Sequence, residues 1–170
     1  MYIKIIIRVG LAINVNMSLD CNSVVNDLRE RLSRLINENY VAVLLFGSWA
    51  RCETDESDVD ILVLHRGLNK INKLKRSKAI YLAITALLKD YPGFTVLDMD
   101  FEEFVNPGII RPLLLNIYWD ALILLDRSGI LRDFLAHVKH RIIESGLRRV
   151  RDGRAYYWIL PKLMAEVRVL

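Results

Sequence analysis

"LLFGSWARCETDESDVDILVL" (residues 44–64) does not follow ordinary core or surface patterning. The run "YVAVLLF" at residues 40–46 is short, apolar throughout and rich in valine, as expected of a strand covered on both faces. Gly47-Ser48 then turns the chain, an acidic loop follows, and residues 59–65 form a second such run. Asp58 and Asp60 straddle Val59 where this second strand begins. Side chains alternate across a strand, so the two carboxylates share a face while Val59 and Ile61 turn toward the core. Two carboxylates so close repel each other unless a cation lies between them. Mg²⁺ suits the pair, because it accepts one or two carboxylates and completes its shell with water and phosphate oxygens. Upstream, a Gly-Ser turn at the end of a buried strand offers backbone N–H groups to a phosphate. Ser48 adds a hydroxyl, and Arg51 is near enough in sequence to reach a triphosphate oxygen. The combination fits metal-assisted phosphoryl or nucleotidyl transfer.

Outward from this stretch, the chain predicts alternating helices and strands. Residues 23–39 carry Val24, Leu28, Leu32, Leu35 and Ile36 at helical spacing behind Ser23 as an N-cap. Residues 69–89 predict a long helix with a core face of Ile71, Leu74, Ala79, Ile80, Ala83, Ile84, Leu87 and Leu88. Pro92-Gly93 marks a turn, and "FTVLDMD" (94–100) alternates as a third strand. A helix over 112–119, the strand "ALILLD" (121–126) and an amphipathic helix over 129–144 follow. Asp152-Gly153 between runs that alternate basic and apolar residues signals a terminal β-hairpin. The fold class is α/β, or α+β, with a mixed sheet flanked by helices. One domain over 1–170 is expected, with a core at 17–127 and a helix-and-hairpin extension at 128–170.

Composition narrows the classes. The chain is 53% hydrophobic and 26% charged over 170 residues, which is the composition of a well-folded globular protein and argues against disorder. Lys and Arg exceed Asp and Glu by four, a modest lean toward a phosphate-bearing partner. Five of the eight residues 53–60 are acidic, whereas residues 66–89 contain seven basic residues and none acidic. That juxtaposition suits a metal–nucleotide site, and two solvated faces would produce it as well. Cys21 and Cys52 are the two cysteines, without a CxxC spacing, so neither a disulfide framework nor a zinc site is expected. A reduced, cytoplasmic setting follows as the default. The opening run "YIKIIIRVGLAINV" carries Lys4 and Arg8 and is too short to span a bilayer, so a strand is expected there. Met17 is an alternative start. The lack of Gln and the wealth of Ile, Leu, Val, Arg and Lys lean toward a thermophilic source.

"GSWARCETDESDVDIL" resembles the Gly-Ser…Asp-x-Asp signature of the polymerase-beta-type nucleotidyltransferase superfamily, particularly its small archaeal and bacterial minimal members. The resemblance is strongest over residues 41–66 and weaker through "ALILLDRSGIL" and "RRVRDGRAYYWILP". It implies that Gly47, Ser48, Arg51 and Ser57 hold a nucleoside triphosphate, with ATP the expected one. It also implies that Asp58 and Asp60 bind two magnesium ions and that a third carboxylate activates an attacking hydroxyl. Asp98 is the first choice for that acid and Asp100 the second; a shifted alignment of the strand puts Thr95 in its place. Cys52 stands where these proteins carry Gly, and the loop before Ser57 is one residue shorter. The implied activity is transfer of a nucleoside monophosphate to a hydroxyl of a protein, RNA or small molecule. The alternative is a weakly catalytic or non-catalytic binding module, such as the antitoxin partner of a small helical ribonuclease.

Other features have two readings each. Arg51 either contacts phosphate or pairs with Glu53 or Asp55. The basic residues 70–78 are a solvated face or a nucleic-acid groove. Arg148, Arg149, Arg151 and Arg154 on the hairpin either contact RNA or a partner, or guard an edge strand. Tyr156, Tyr157 and Trp158 suit packing better than base stacking. His65, His137 and His140 show no metal-ligand grouping and are expected to be structural. A second copy of the chain is a further candidate partner, and no membrane contact is expected.

Overall fold

The continuous apolar strands occupy the centre of a sheet sandwiched between helices. A computed structural model of the chain describes residues 21–53, 58–91, 93–162 and 169–170. The strand expected in the opening run therefore lies outside the described residues. The elements, in chain order, are α1 (Cys21–Leu32), β1 (Tyr40–Phe46), the single turn α2 (Gly47–Ala50), β2 (Val59–His65), α3 (Lys73–Leu87), β3 (Phe94–Asp100), α4 (Phe101–Val105), α5 (Pro112–Asp120), β4 (Leu122–Asp126), α6 (Leu131–Glu144), β5 (Arg148–Asp152) and β6 (Ala155–Ile159).

Four strands form a mixed sheet in the order β3-β2-β1-β4. β1 runs antiparallel to both neighbours, and β2 and β3 run parallel with α3 as their crossover. Alternation divides the strand residues between two cores. Ala42, Leu44, Phe46, Leu62, Leu64, Leu97 and Met99 pack with residues of α4, α5 and α6, including Phe101, Phe104, Tyr118 and Leu135. Val43, Leu45, Val59, Ile61 and Val63 pack on the opposite face with Val24, Leu28 and Leu32 of α1 and Ile80 and Ile84 of α3. Apolar cover on both faces explains why β1 lacks the polar alternation of a half-exposed strand.

Two predicted helices are shorter than their periodicity suggested. α1 stops at Leu32, where the Ser33 hydroxyl donates to the Glu30 carbonyl and diverts the chain from the helix. Leu35 is nevertheless buried, and Ile36 is exposed. The Arg127 guanidinium holds this turn by donating to the carbonyls of Leu35, Asn37 and Tyr40. α3 begins at Lys73 because the Asn72 side chain accepts from the N–H groups of Leu74 and Lys75. Ile71 and Leu74 therefore lie outside the core, which receives Ile80, Ile84 and Leu88.

β5 and β6 form a separate two-stranded sheet joined at Asp152-Gly153. An isolated hairpin is marginal in water, and this one is fastened to α5. The Trp158 indole donates to Asn116 Oδ1 at 2.8 Å, and Trp119 and Trp158 meet edge-to-face at 5.5 Å.

The two cysteines overturn a sequence expectation. Cys21 and Cys52 form a disulfide with their Cα atoms 5.6 Å apart. Nothing in their spacing of 31 residues announces it; the return of the chain through β1 and α2 brings the end of the Gly-Ser turn against the start of α1. Among the described residues, no helix is long and apolar enough to cross a membrane.

Candidate functional site

Sheet register decides which carboxylates meet. Asp58 directly precedes β2 and Asp60 is its second residue, between Phe46 of β1 and Thr95 of β3. Each carboxylate rests on a glycine. A Cβ added at Gly47 would overlap Asp60 Oδ2 and come within 3.0 Å of its Cγ. One added at Gly93 would overlap Asp58 Oδ1 and lie 3.2 Å from its Cγ. Gly47 has a second reason to be glycine, a φ of +77° in the left-handed region that side chains disfavour. The Val59 N–H donates to the Gly93 carbonyl at 3.0 Å and pins the two approaches together.

The third acid does not join this pair. Asp60 is paired with Thr95, whereas Asp98 is paired with Val63 and Asp100 with His65. Thr95, Leu97 and Met99 share the Asp60 face, so strand alternation puts Asp98 and Asp100 on the other side of the sheet. The buried Thr95 therefore stands across from Asp60, where the superfamily resemblance called for a carboxylate. Asp98 instead accepts from Arg76 Nε at 2.7 Å and from the Ser77 hydroxyl, with His65 Nε2 at 3.4 Å. Its side chain is 6% exposed. Burial pushes its pKa up, but hydrogen bonding from His65, Ser77 and Arg76 outweighs this and holds the carboxyl below the usual range. Asp100 accepts from Asn69 at 2.7 Å and caps α4 by accepting from the Glu102 and Glu103 N–H groups.

Gly47 and Ser48 open α2, directly after β1. The Ser48 carbonyl accepts from the N–H groups of Arg51 at 3.1 Å and Glu53 at 2.9 Å, so the loop curls back onto the Gly-Ser turn. Ser57 lies outside the described residues. Arg51 is engaged in ion pairs, with Glu53 Oε2 at 2.8 Å and Asp120 Oδ2 at 3.0 Å. Burial would lower the Arg51 pKa, and these hydrogen bonds more than reverse it. Cys52 has a φ of +54°, the conformation for which glycine is the usual residue.

The chain can test for Mg²⁺ through its donor set. Among the described residues, no group of three or more His, Cys, Asp or Glu side chains gathers to hold a metal ion. Asp58 and Asp60 offer a pair, and a pair suits an ion that completes its octahedron with water and substrate oxygens. The residues therefore fit Mg²⁺ held jointly with a triphosphate.

The Arg51–Glu53 pair is one of the two readings the sequence offered for Arg51, whereas Gly93, the bridge and the longer-range contacts of residues 51–53 were not foreseen. Gly93 had one legible signal: it immediately precedes the third strand, and parallel pairing of that strand with β2 brings it beside Asp58. The other contacts join residues from 31 to 103 positions apart and carry no local pattern.

No protein-family model matches the chain. A protein of Methanocaldococcus jannaschii, "Putative protein adenylyltransferase MJ1305", is 25% identical over 120 residues, covering 69% of this chain and 80% of the relative. A Sulfolobus solfataricus structure described as a "putative nucleotidyltransferase" superposes with a TM-score of 0.44 at 18% identity, over 64% of this chain and 85% of its own. A toxin–antitoxin structure with AMP-PNP gives a TM-score of 0.39 at 19% identity, over 72% of this chain and 92% of its own. The ordered Gly-Ser…Asp-x-Asp motif, its setting between β1 and β2 and the adenylyltransferase relative make the chain similar to the minimal members of the nucleotidyltransferase superfamily.

Proposed function

We propose that the chain is a nucleotidyltransferase that moves a nucleoside monophosphate from a nucleoside triphosphate, ATP in the first instance, to a hydroxyl acceptor. The observation that carries this reading is the pair of carboxylates at the start of β2, each seated against a glycine whose added Cβ would displace it. Asp58 and Asp60 would hold Mg²⁺, which when bound neutralises triphosphate charge and stabilises the leaving oxygen. Gly47 and Ser48 meet the phosphates, with Ser57 expected to join them. The acceptor oxygen attacks the α-phosphorus, the bond from that phosphorus to the bridging oxygen breaks, and pyrophosphate leaves as the acceptor proton passes to solvent. Orientation of acceptor and triphosphate supplies most of the rate, because Thr95 is no base.

Thr95 also favours a second reading, in which nucleotide binding outlives efficient chemistry and the chain acts by binding a partner protein. The resemblance to minimal nucleotidyltransferases suggests a small helical ribonuclease, in a toxin–antitoxin pair, as that partner.

The test uses α-labelled ATP, Mg²⁺ and the product of the adjacent gene as acceptor. Label transfer that Asp58→Ala and Asp60→Ala abolish supports the catalytic reading, and variants that label as well as wild type overturn it. Complex formation without transfer, surviving in Asp58→Ala, supports the binding module.

A further inference from the structure

Residues 51–53 are tethered one after another to three different elements. Arg51 is held by Asp120 at the end of α5, at 3.0 Å, with 17% and 7% of the two side chains exposed. Cys52 is bonded to Cys21 at the start of α1. Glu53 accepts a hydrogen bond from the Tyr156 hydroxyl of β6 and pairs with Arg151 of β5 at 3.3 Å. The first and third tethers meet. Arg149 of β5 donates to both oxygens of Asp120, at 2.7 Å to Oδ1, and its guanidinium carbon lies 4.0 Å from the centre of the Tyr156 ring. The Arg51 guanidinium carbon lies 4.6 Å from the same ring. Two guanidinium groups, two carboxylates and one phenol thus form a closed network between the loop, α5 and the hairpin.

The network leads directly to the Gly-Ser turn. Arg51 and Glu53, whose side chains it grips, donate their own N–H groups to the Ser48 carbonyl. A tug on either side chain is therefore delivered to the peptide that follows Ser48, one residue beyond the glycine on which Asp60 rests. Hydrogen bonding from Tyr156, then from Arg51, holds the Glu53 carboxyl below its usual pKa, so the grip persists across neutral pH.

We infer that Arg149 and Tyr156 of the C-terminal hairpin are positioning residues for the nucleotide loop, holding Gly47 and Ser48 in the geometry that receives a triphosphate. The inference rests on the proposed nucleotide site and adds to it a function for the hairpin. Hairpin arginines that look like free surface charge divide into two kinds: Arg149 and Arg151 serve the loop, while Arg148 and Arg154 face solvent.

The test is a titration of methylanthraniloyl-ATP with Mg²⁺ against the full chain and three variants. Tyr156→Phe removes one hydroxyl and keeps the ring that both guanidiniums contact; Arg149→Lys keeps the charge but loses the two-pronged grip on Asp120. Both are expected to raise Kd about tenfold, a loss on the scale of one or two charge-assisted hydrogen bonds. Where transfer is measurable, KM for ATP rises and kcat changes less than KM. A purely structural role would lower the thermal midpoint and leave the Kd of the folded protein unchanged. Asp58→Asn separates the two proposals. If it weakens binding while Tyr156→Phe and Arg149→Lys bind as wild type, the positioning role is overturned and the nucleotide site stands. If Asp58→Asn itself binds Mg²⁺ and nucleotide as wild type, the nucleotide site is overturned. Should Arg149→Lys fail to fold, Tyr156→Phe decides alone.

Discussion

The chain contains two Asp-x-Asp sequences, Asp58-Val59-Asp60 and Asp98-Met99-Asp100, on neighbouring strands of one sheet. Their local chemistry is the same and their surroundings are opposite. The first pair lies at the beginning of β2, half-buried, with a glycine against each carboxylate and, among the described residues, no group of three acids around it. The second lies at the end of β3, on the other face, with its charges already answered by Arg76, Ser77, His65, Asn69 and the first turn of α4. The second pair, with its hydrogen bonds filled by neighbouring side chains and backbone, is a structural joint; the first is the pair proposed above to meet a ligand. The spacing of the acids decides neither outcome, and the strand register decides both.

The comparison can be broken most sharply by exchanging the consequences. Asp58→Asn or Asp60→Asn should cut nucleotidyl transfer about a thousandfold, within the range for loss of an essential catalytic group, with the thermal midpoint nearly unchanged. Asp98→Ala should do the reverse. It strands the Arg76 guanidinium, 13% exposed, and the fully buried His65, at a cost of about 3–5 kcal/mol or a midpoint lower by about 10 °C. Transfer per folded molecule should stay at the wild-type level. If Asp98→Ala abolishes transfer and spares stability, the two pairs have been assigned the wrong way round.

Gly93→Ala tests the first pair without altering any charge. Its Cβ must displace the Asp58 carboxylate, and a shift of about an ångström at a reacting centre costs up to about a hundredfold in rate. Transfer measured beside the thermal midpoint should fall by at least tenfold with little loss of stability. The smallest effect concerns pH. The Asp98 carboxyl is held below its unfolded value of about 3.9, so its contribution is fully present above that pH and is lost as pH falls through the window beneath it. Unfolding midpoints recorded from pH 6 to pH 2 should show an acid-side decline that is shallower in Asp98→Asn.

Strands and the Asp58-Asp60 motif were legible because both are local. Residues 59–65 and 94–100 emerge as strands with the boundaries their patterns implied, since uninterrupted valine, leucine and alternating residues admit few other conformations. Helix ends were less legible: Ser33 and Asn72 set them through side-chain bonds to nearby backbone, which compete with hydrophobic periodicity. The third position of the site was illegible in detail. Moving the alignment by one residue exchanges the faces of a strand, so Asp98 and Thr95, three places apart, project from opposite sides of it. Of the contacts at residues 51–53, the Arg51–Glu53 pair was legible from its spacing, and the rest were hidden because their partners arrive from α1, α5 and the hairpin.

The Cys21–Cys52 bridge makes a covalent ring of the segment that contains α1, β1 and the Gly-Ser turn. In a chain-entropy account, closing a ring of that size removes disorder from the unfolded state equivalent to about 3–4 kcal/mol. The ring has a topological consequence as well. A protease cutting between the two cysteines leaves both fragments joined, and one cutting after Cys52 severs β1 from β2 outright once the fold opens. With its two cysteines spent on each other, the chain offers alkylating reagents no thiol even when unfolded, until a reductant arrives. Such a bond endures where thiols are kept oxidised, or in the disulfide-rich interiors of hyperthermophiles, and not in a glutathione-buffered cytosol. Cys52, in the loop that follows the Gly-Ser turn, thus ties the shape of that loop to the redox surroundings of the chain.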